Sequence, residues 1–169
     1  MPGWIVRAMR AIAIFVLILS AIIVFFQVRL CLGDELDRCA QYREKVESIL
    51  ESEAVSKDFY FLMVAESRCT DKAVSQKGAV GFWQLMPATG KHYGCRDLHD
   101  LECATRAAAR YIRHLQSDFK SFEDVIIAYN MGGHNYRRTR ATREALGLVW
   151  KVRELMKCHY TTEAETAKR

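Results

Sequence analysis

The sequence predicts an all-α domain preceded by a single N-terminal transmembrane helix. Three observations predict this. Apolar residues recur at helical spacing in several separate segments, no segment shows strand alternation, and an uncharged run from Ala11 to Phe26 stands near the N-terminus. Within 169 residues no internal repeat and no second domain fits.

The N-terminal run reads AIAIFVLILSAIIVFF and, with flanking Val28 and Leu30, approaches the ~20 residues that a membrane span needs. Arg7 and Arg10 precede it, whereas Arg29 is followed by Asp34, Glu35 and Asp37. This asymmetry leaves residues 1–10 in the cytoplasm, makes residues 11–30 the span and exports residues 31–160, with 161–169 as a frayed tail. No small-x-small pattern follows Phe26, and the sequence before Cys31 lacks the small residue expected ahead of a lipidated cysteine. An uncleaved anchor therefore fits better than a signal peptide.

All 20 acids lie beyond the span, with 22 of the 25 basic residues, so the exported part is near neutral. That balance does not imply a nucleic-acid partner. Arg137, Arg138, Arg140 and Arg143 form a local basic patch, which reads better as a solvated helix face than as a contact for an anionic polymer. Six cysteines at or beyond the outer end of the span suggest disulfides in an oxidising compartment. Cys95 and Cys103 are near enough to close a short loop. Cys39, Cys69 and Cys158 are candidates for longer pairings, and Cys31 stands at the membrane edge. Zinc sites favour tighter C-x-x-C pairs than Cys95, His99 and Cys103 offer, so no metal is assigned.

In chain order, Asp34–Ser52 is predicted as a helix, with Leu36, Cys39, Val46, Ile49 and Leu50 at helical spacing. No flexible linker separates it from the span. Phe59–Glu66 is a second, almost wholly apolar helix, and a polar, glycine-bearing loop follows. Pro87 and Gly90 bracket a short turn or helix. Ala104–Phe119 is amphipathic, and Ser121 with Asp124 forms a capping signal for a helix ending at Tyr129-Asn130 before two glycines. A last helix spans about Thr139 to Tyr160.

The stretch from Phe59 to Pro87 carries the chemistry. Phe59, Leu62 and Met63 share a helical face with Glu66, so its carboxyl points where apolar side chains point. A carboxyl in apolar surroundings tends to stay protonated and can serve as a general acid. Ser75, Gly78, Gly81 and Phe82-Trp83-Gln84 follow, supplying hydroxyl, amide, aromatic surface and close backbone approach. Trp83 fits either the core or a sugar-stacking role. Tyr111 fits either the apolar stripe of its helix or a cleft, and Asn130 either a helix cap or a cleft.

These residues occur in an ordered set: Glu66-Ser67, then Ser75, then Gly78 to Pro87, then Thr89-Gly90 with Tyr93-Gly94, then Tyr111, then Ala128-Tyr129-Asn130. From about Tyr42 to Asn130, and more loosely to Tyr160, the chain resembles the lytic transglycosylases of the goose-lysozyme-like (SLT) family. The resemblance implies a lysozyme-like, all-α fold with a sugar-binding cleft. It implies peptidoglycan as substrate, cut between N-acetylmuramic acid and N-acetylglucosamine, with no cofactor. It makes Glu66 the catalytic acid/base, places Ser75 and Gln84 beside it, and has Tyr111, Tyr129 and Asn130 line the cleft. With the anchor it implies a bacterial inner-membrane protein whose domain faces the periplasm. Two alternatives stay open: a lysozyme-type hydrolase, which a second carboxylate in the cleft would favour, and a wall-binding factor that opens the wall for an envelope-spanning machine.

The chain departs from the family pattern in three ways. His134 replaces the second glycine after the Tyr-Asn pair, which bears on the local cleft geometry. Cys69 stands where the family often has an aromatic. The carbohydrate-binding repeats of longer relatives are not seen, so retention on the wall is expected to come from the anchor or from partners.

Overall fold

The structure, a computed structural model, describes residues 3–167, with side chains described at positions 7, 9–10, 12–20, 22, 34–164 and 166–167. Its first element, α1, runs unbroken from Gly3 to Ser52. The predicted span and the predicted first helix of the domain are thus one rod. Gly33, the one glycine at their junction, costs about 1 kcal/mol against alanine, too little to break a helix supported on its domain side by packing.

The described apolar side chains of the N-terminal part, among them Ile12, Phe15, Leu17, Leu19 and Ile22, are exposed. Positions 11, 21 and 23–30 of the predicted span, and Cys31 after it, lie outside the described side chains. Among the described residues no helix is long and apolar enough to cross a membrane.

Beyond residue 34, α1 packs by the expected spacing: Cys39, Val46, Ile49 and Leu50 are buried. A 3-10 turn, Lys57–Phe59, leads into α2, Tyr60–Ser67. Every residue from Tyr60 to Val64 is buried, as an all-round apolar helix requires. Helix α2 packs against both α1 and α7, the latter spanning Arg143–Thr166. Helix α4 (Leu101–Asp118) packs on α1, on α3 (Pro87–His92) and on α5 (Phe122–Met131), and α5 packs on α7. The protein is all-α among the described residues; the only strand-like features are the isolated bridges Val74–Val80 and Val80–Leu85.

Three boundaries differ from expectation for local reasons. Helix α4 begins at Leu101 because the Asp100 side chain accepts from Cys103 N–H (2.7 Å), an N-cap inside a stretch that reads as polar loop. A short helix, α6 (Gly133–Arg138), follows Gly132 directly. Helix α7 continues through Thr166, so the predicted tail is largely helical; Thr161 and Thr162 bond back to the carbonyls of Lys157 and Cys158. The Ser121 cap is as predicted, its hydroxyl accepting from Asp124 N–H at 3.0 Å.

Among the described residues two disulfides form, Cys39–Cys69 and Cys95–Cys103. The first ties α1 to the chain just after Glu66. Cys158, a candidate for long-range pairing, is a free thiol.

Candidate active site

Glu66 sits in the last turn of α2, which ends because Arg68 and Cys69 both adopt left-handed backbone conformations (φ 52° and 59°). The reversed chain then folds into a tight loop over residues 70–86. Gly81 N–H donates to Ala73 O (2.8 Å), Val80 N–H to Leu85 O (2.9 Å) and Ser75 N–H to Ala79 O (2.9 Å). Gly81 is required here: at φ +73° a Cβ would lie 2.0 Å from Leu98 O.

This loop, the C-terminal half of α5 and the start of α7 enclose a cleft of about 270 Å³. All six residues singled out in the sequence line it: Glu66, Ser75, Gln84, Tyr111, Tyr129 and Asn130. No hydrogen bond or ion pair among the described residues engages the Glu66 carboxyl. Burial, reinforced by the negative charge of Glu144 and partly offset by Lys151, raises its pKa to about 7. Lys151 is held away from the carboxyl by other partners: its ammonium donates to Ala65 O (3.2 Å) and pairs with buried Glu35 at 3.1 Å.

The remaining residues divide by what their polar atoms already do. Gln84, at φ 47°, donates its amide to Ala73 O (3.2 Å) and Gly81 O (2.9 Å), so it holds the loop's shape. The Ser75 hydroxyl accepts from Ala79 N–H (3.0 Å), leaving its proton for a ligand. Tyr129 donates to Trp83 O (2.8 Å), and burial raises its phenol well above its ordinary pKa, so it stays neutral. Its ring stacks on Tyr111 at 5.2 Å, and Tyr111 donates to Ala128 O (3.4 Å). These two rings form a wall. Trp83 resolves to the core: it is fully buried and donates Nε1–H to Thr105 Oγ1 (2.9 Å).

His134 does not disturb the cleft. Met131 and Gly132 line it instead, while His134 is exposed on α6 with Nε2 3.3 Å from an Arg138 nitrogen. The arginine patch is a solvated rim, in which Arg137 pairs with Asp118 and lies over Phe119.

Sequence reasoning missed Glu144 and Lys77. Glu144, in the first turn of α7, reaches the cleft and pairs with Lys77 of the loop at 2.7 Å. The Lys77 bond first, and a bond from Asn130 as well, lower its pKa below the ordinary glutamate value. Two carboxyls thus face one cleft with opposite shifts, a pattern that separates an acid from an anion. Nothing local marks Glu144, because 67 residues separate it from the lysine that fixes it.

Residues 45–147 match the transglycosylase SLT domain family. Two curated relatives, each named membrane-bound lytic murein transglycosylase D and drawn from two strains of Escherichia coli, are 25% identical over 123 residues. The match covers 69% of this chain and 27% of each relative, so the chain spans about a quarter of their length.

Proposed function

We propose that this chain, which belongs to the transglycosylase SLT family, is a membrane-anchored lytic transglycosylase that cleaves the β-1,4 bond between N-acetylmuramic acid and N-acetylglucosamine in peptidoglycan. The observation that carries this reading is Glu66: one carboxyl in a cleft, largely buried, without a salt bridge, and near pKa 7. Such a group can give up and take back a proton at neutral pH.

In the proposed reaction Glu66 protonates the glycosidic oxygen and the bond to the muramic anomeric carbon breaks. The substrate's own N-acetyl oxygen attacks that carbon and holds the positive charge. The Glu66 carboxylate then removes the proton of the muramic 6-hydroxyl, whose oxygen displaces the acetamido oxygen. A 1,6-anhydro ring closes, Glu66 is reprotonated, and no water is consumed. The Ser75 hydroxyl is free to donate to the N-acetyl group. The Tyr111–Tyr129 wall offers an apolar face to a sugar ring.

Glu144 favours a second reading, hydrolysis, because it is a lasting anion in the same cleft and could orient water. Its bonds from Lys77 and Asn130 occupy it, and its side chain is 61% exposed, which suits a rim better than a buried base.

The anchor reading rests on α1. A helix whose described N-terminal apolar side chains face outward would be costly in water, and a bilayer would cover them. The proposed setting is the inner membrane, with residues 1–10 cytoplasmic and the domain periplasmic. An envelope-spanning machine would be a fitting partner.

Mass spectrometry of peptidoglycan digested by the full chain in detergent tests the activity. Wild type is expected to yield 1,6-anhydro ends, and Glu66→Gln to lose about 10²–10⁴ in rate. Reducing ends that vanish with Glu144→Gln would establish hydrolysis instead. Release of the protein from membranes by alkaline carbonate would remove the anchor.

A further inference from the structure

The tyrosine wall does not stop at the cleft. Tyr129 stacks on Tyr111 at 5.2 Å, Tyr111 on Tyr93 at 5.3 Å, and Tyr93 meets His92 at 4.8 Å and His114 at 6.3 Å. At its outer end lies a second, open pocket of about 520 Å³. His92, Tyr93, Gly94, Arg110, Arg113 and His114 line it, and no carboxylate does.

The two guanidiniums are fixed from beneath. Arg110 Nε donates to both oxygens of Glu53 (3.2 and 3.3 Å), and its Nη1 donates to Tyr93 O (3.3 Å). Arg113 Nη1 donates to the Glu53 carbonyl oxygen (2.9 Å). Both side chains stay about half exposed, at 42% and 52%. One glutamate thus orients two arginines; Arg106 reaches it at 3.8 Å but pairs more closely with Glu102 at 3.1 Å, so three arginines meet two glutamates and the local charge stays positive. A half-exposed guanidinium fork with its stem already fixed suits a carboxylate, which it can bind through paired N–H donors.

The distance along the ladder fits one anion of the glycan strand. Three stacked rings span on the order of 10 Å, and about three extended residues cover the same length. A muramic acid held at the Tyr129 end carries a lactyl peptide of that reach, ending in carboxylates. A lipid headgroup is the wrong source: the pocket's arginines rest on Glu53, one residue past the end of α1. From residue 30 to there the helix rises about 35 Å, well above a bilayer surface.

We propose that this pocket is a carboxylate site for the peptide stem of the glycan strand lying in the cleft. The inference rests on the peptidoglycan reading above.

The test uses the full chain in detergent and N-acetylmuramoyl tetrapeptide as the probe, followed by calorimetric titration. Binding is expected to weaken at least tenfold in Arg113→Glu and severalfold in the rim double variant His92→Gln/His114→Gln, whose side chains are exposed. It is also expected to be lost when the probe's carboxylates are amidated. Equal binding by wild type and the rim variant, equal binding of the amidated probe, or full competition by the same concentration of inorganic phosphate would each overturn the proposal. A kinetic arm separates this from the activity itself. On peptide-bearing strands the rim variant should raise KM severalfold with kcat unchanged, and on peptide-free glycan it should change neither. Wild type that cleaves no strand would sink the transglycosylase reading while titration still decides the pocket. Wild type that cleaves, with a variant identical on both strands, would sink the pocket alone.

Discussion

Glu66 and Glu53 lie at the C-terminal ends of neighbouring helices, and both are largely removed from water. They differ in what surrounds them. Glu53 meets Arg106, Arg110 and Arg113 at 3.8, 3.1 and 3.6 Å. Glu66 has no such partner, faces the anion Glu144, and is raised to about pKa 7. Burial alone therefore does not make a carboxyl reactive. The supply of cations decides whether it becomes a structural anchor or a proton donor. Glu35 makes the same point from the other side, because it takes Lys151 and Arg68 as its own partners (3.1 and 2.8 Å).

The contrast can be broken most directly by pH. If Glu66 acts as the acid, cleavage should fall about tenfold per unit once pH exceeds about 7. Its folded pKa lies above the ordinary value of 4.5, so the folded state holds this proton more tightly than the unfolded chain. Stability is therefore fully present below pH 4.5 and declines as pH rises to about 7. The loss is about 3 kcal/mol. Glu66→Gln should be more stable than wild type above pH 7 and indistinguishable from it near pH 4; melting curves that stay parallel across this range would place Glu66 in water.

Each region also carries a disulfide. Cys39–Cys69 closes 30 residues beside Glu66, and Cys95–Cys103 closes 8 beside the arginine pocket. Loop-closure entropy predicts a loss of about 3–4 kcal/mol for Cys39→Ser/Cys69→Ser and about 2–3 kcal/mol for Cys95→Ser/Cys103→Ser. Denaturant unfolding of the two variants checks the ranking, and an inverted order would mean that local packing outweighs chain entropy.

The smallest expected effect sharpens the other half of the comparison. Glu53→Gln leaves Arg110 and Arg113 without their anion, while Arg106 keeps Glu102 at 3.1 Å, and all three are about half exposed. The cost should be about 1–2 kcal/mol in denaturant unfolding, with kcat unchanged. A loss above that would show the cluster to be drier than its exposure suggests.

Much of this molecule is legible in the sequence because the signals are local. The apolar run of α2, the stripe on α4 and the Ser121 cap are set by residues three or four apart, and helix formation reads that spacing directly. The six candidate site residues were readable from ordered motifs, and the structure gathers all six around one cleft. The short α6 and the N-cap of α4 were less visible, since each depends on a few residues whose composition also suits a loop.

By itself, then, the sequence determined the helices, the apolar N-terminal run, the family motifs and the apolar setting of Glu66. Only the tertiary structure decided that Cys39 pairs with Cys69, that Trp83 is core, that Glu144 faces Glu66, and that Glu53 gathers the arginines. Those outcomes join residues 22 to 78 positions apart. Periodicity carries no information across such separations; they are settled by which helix faces meet when the core closes.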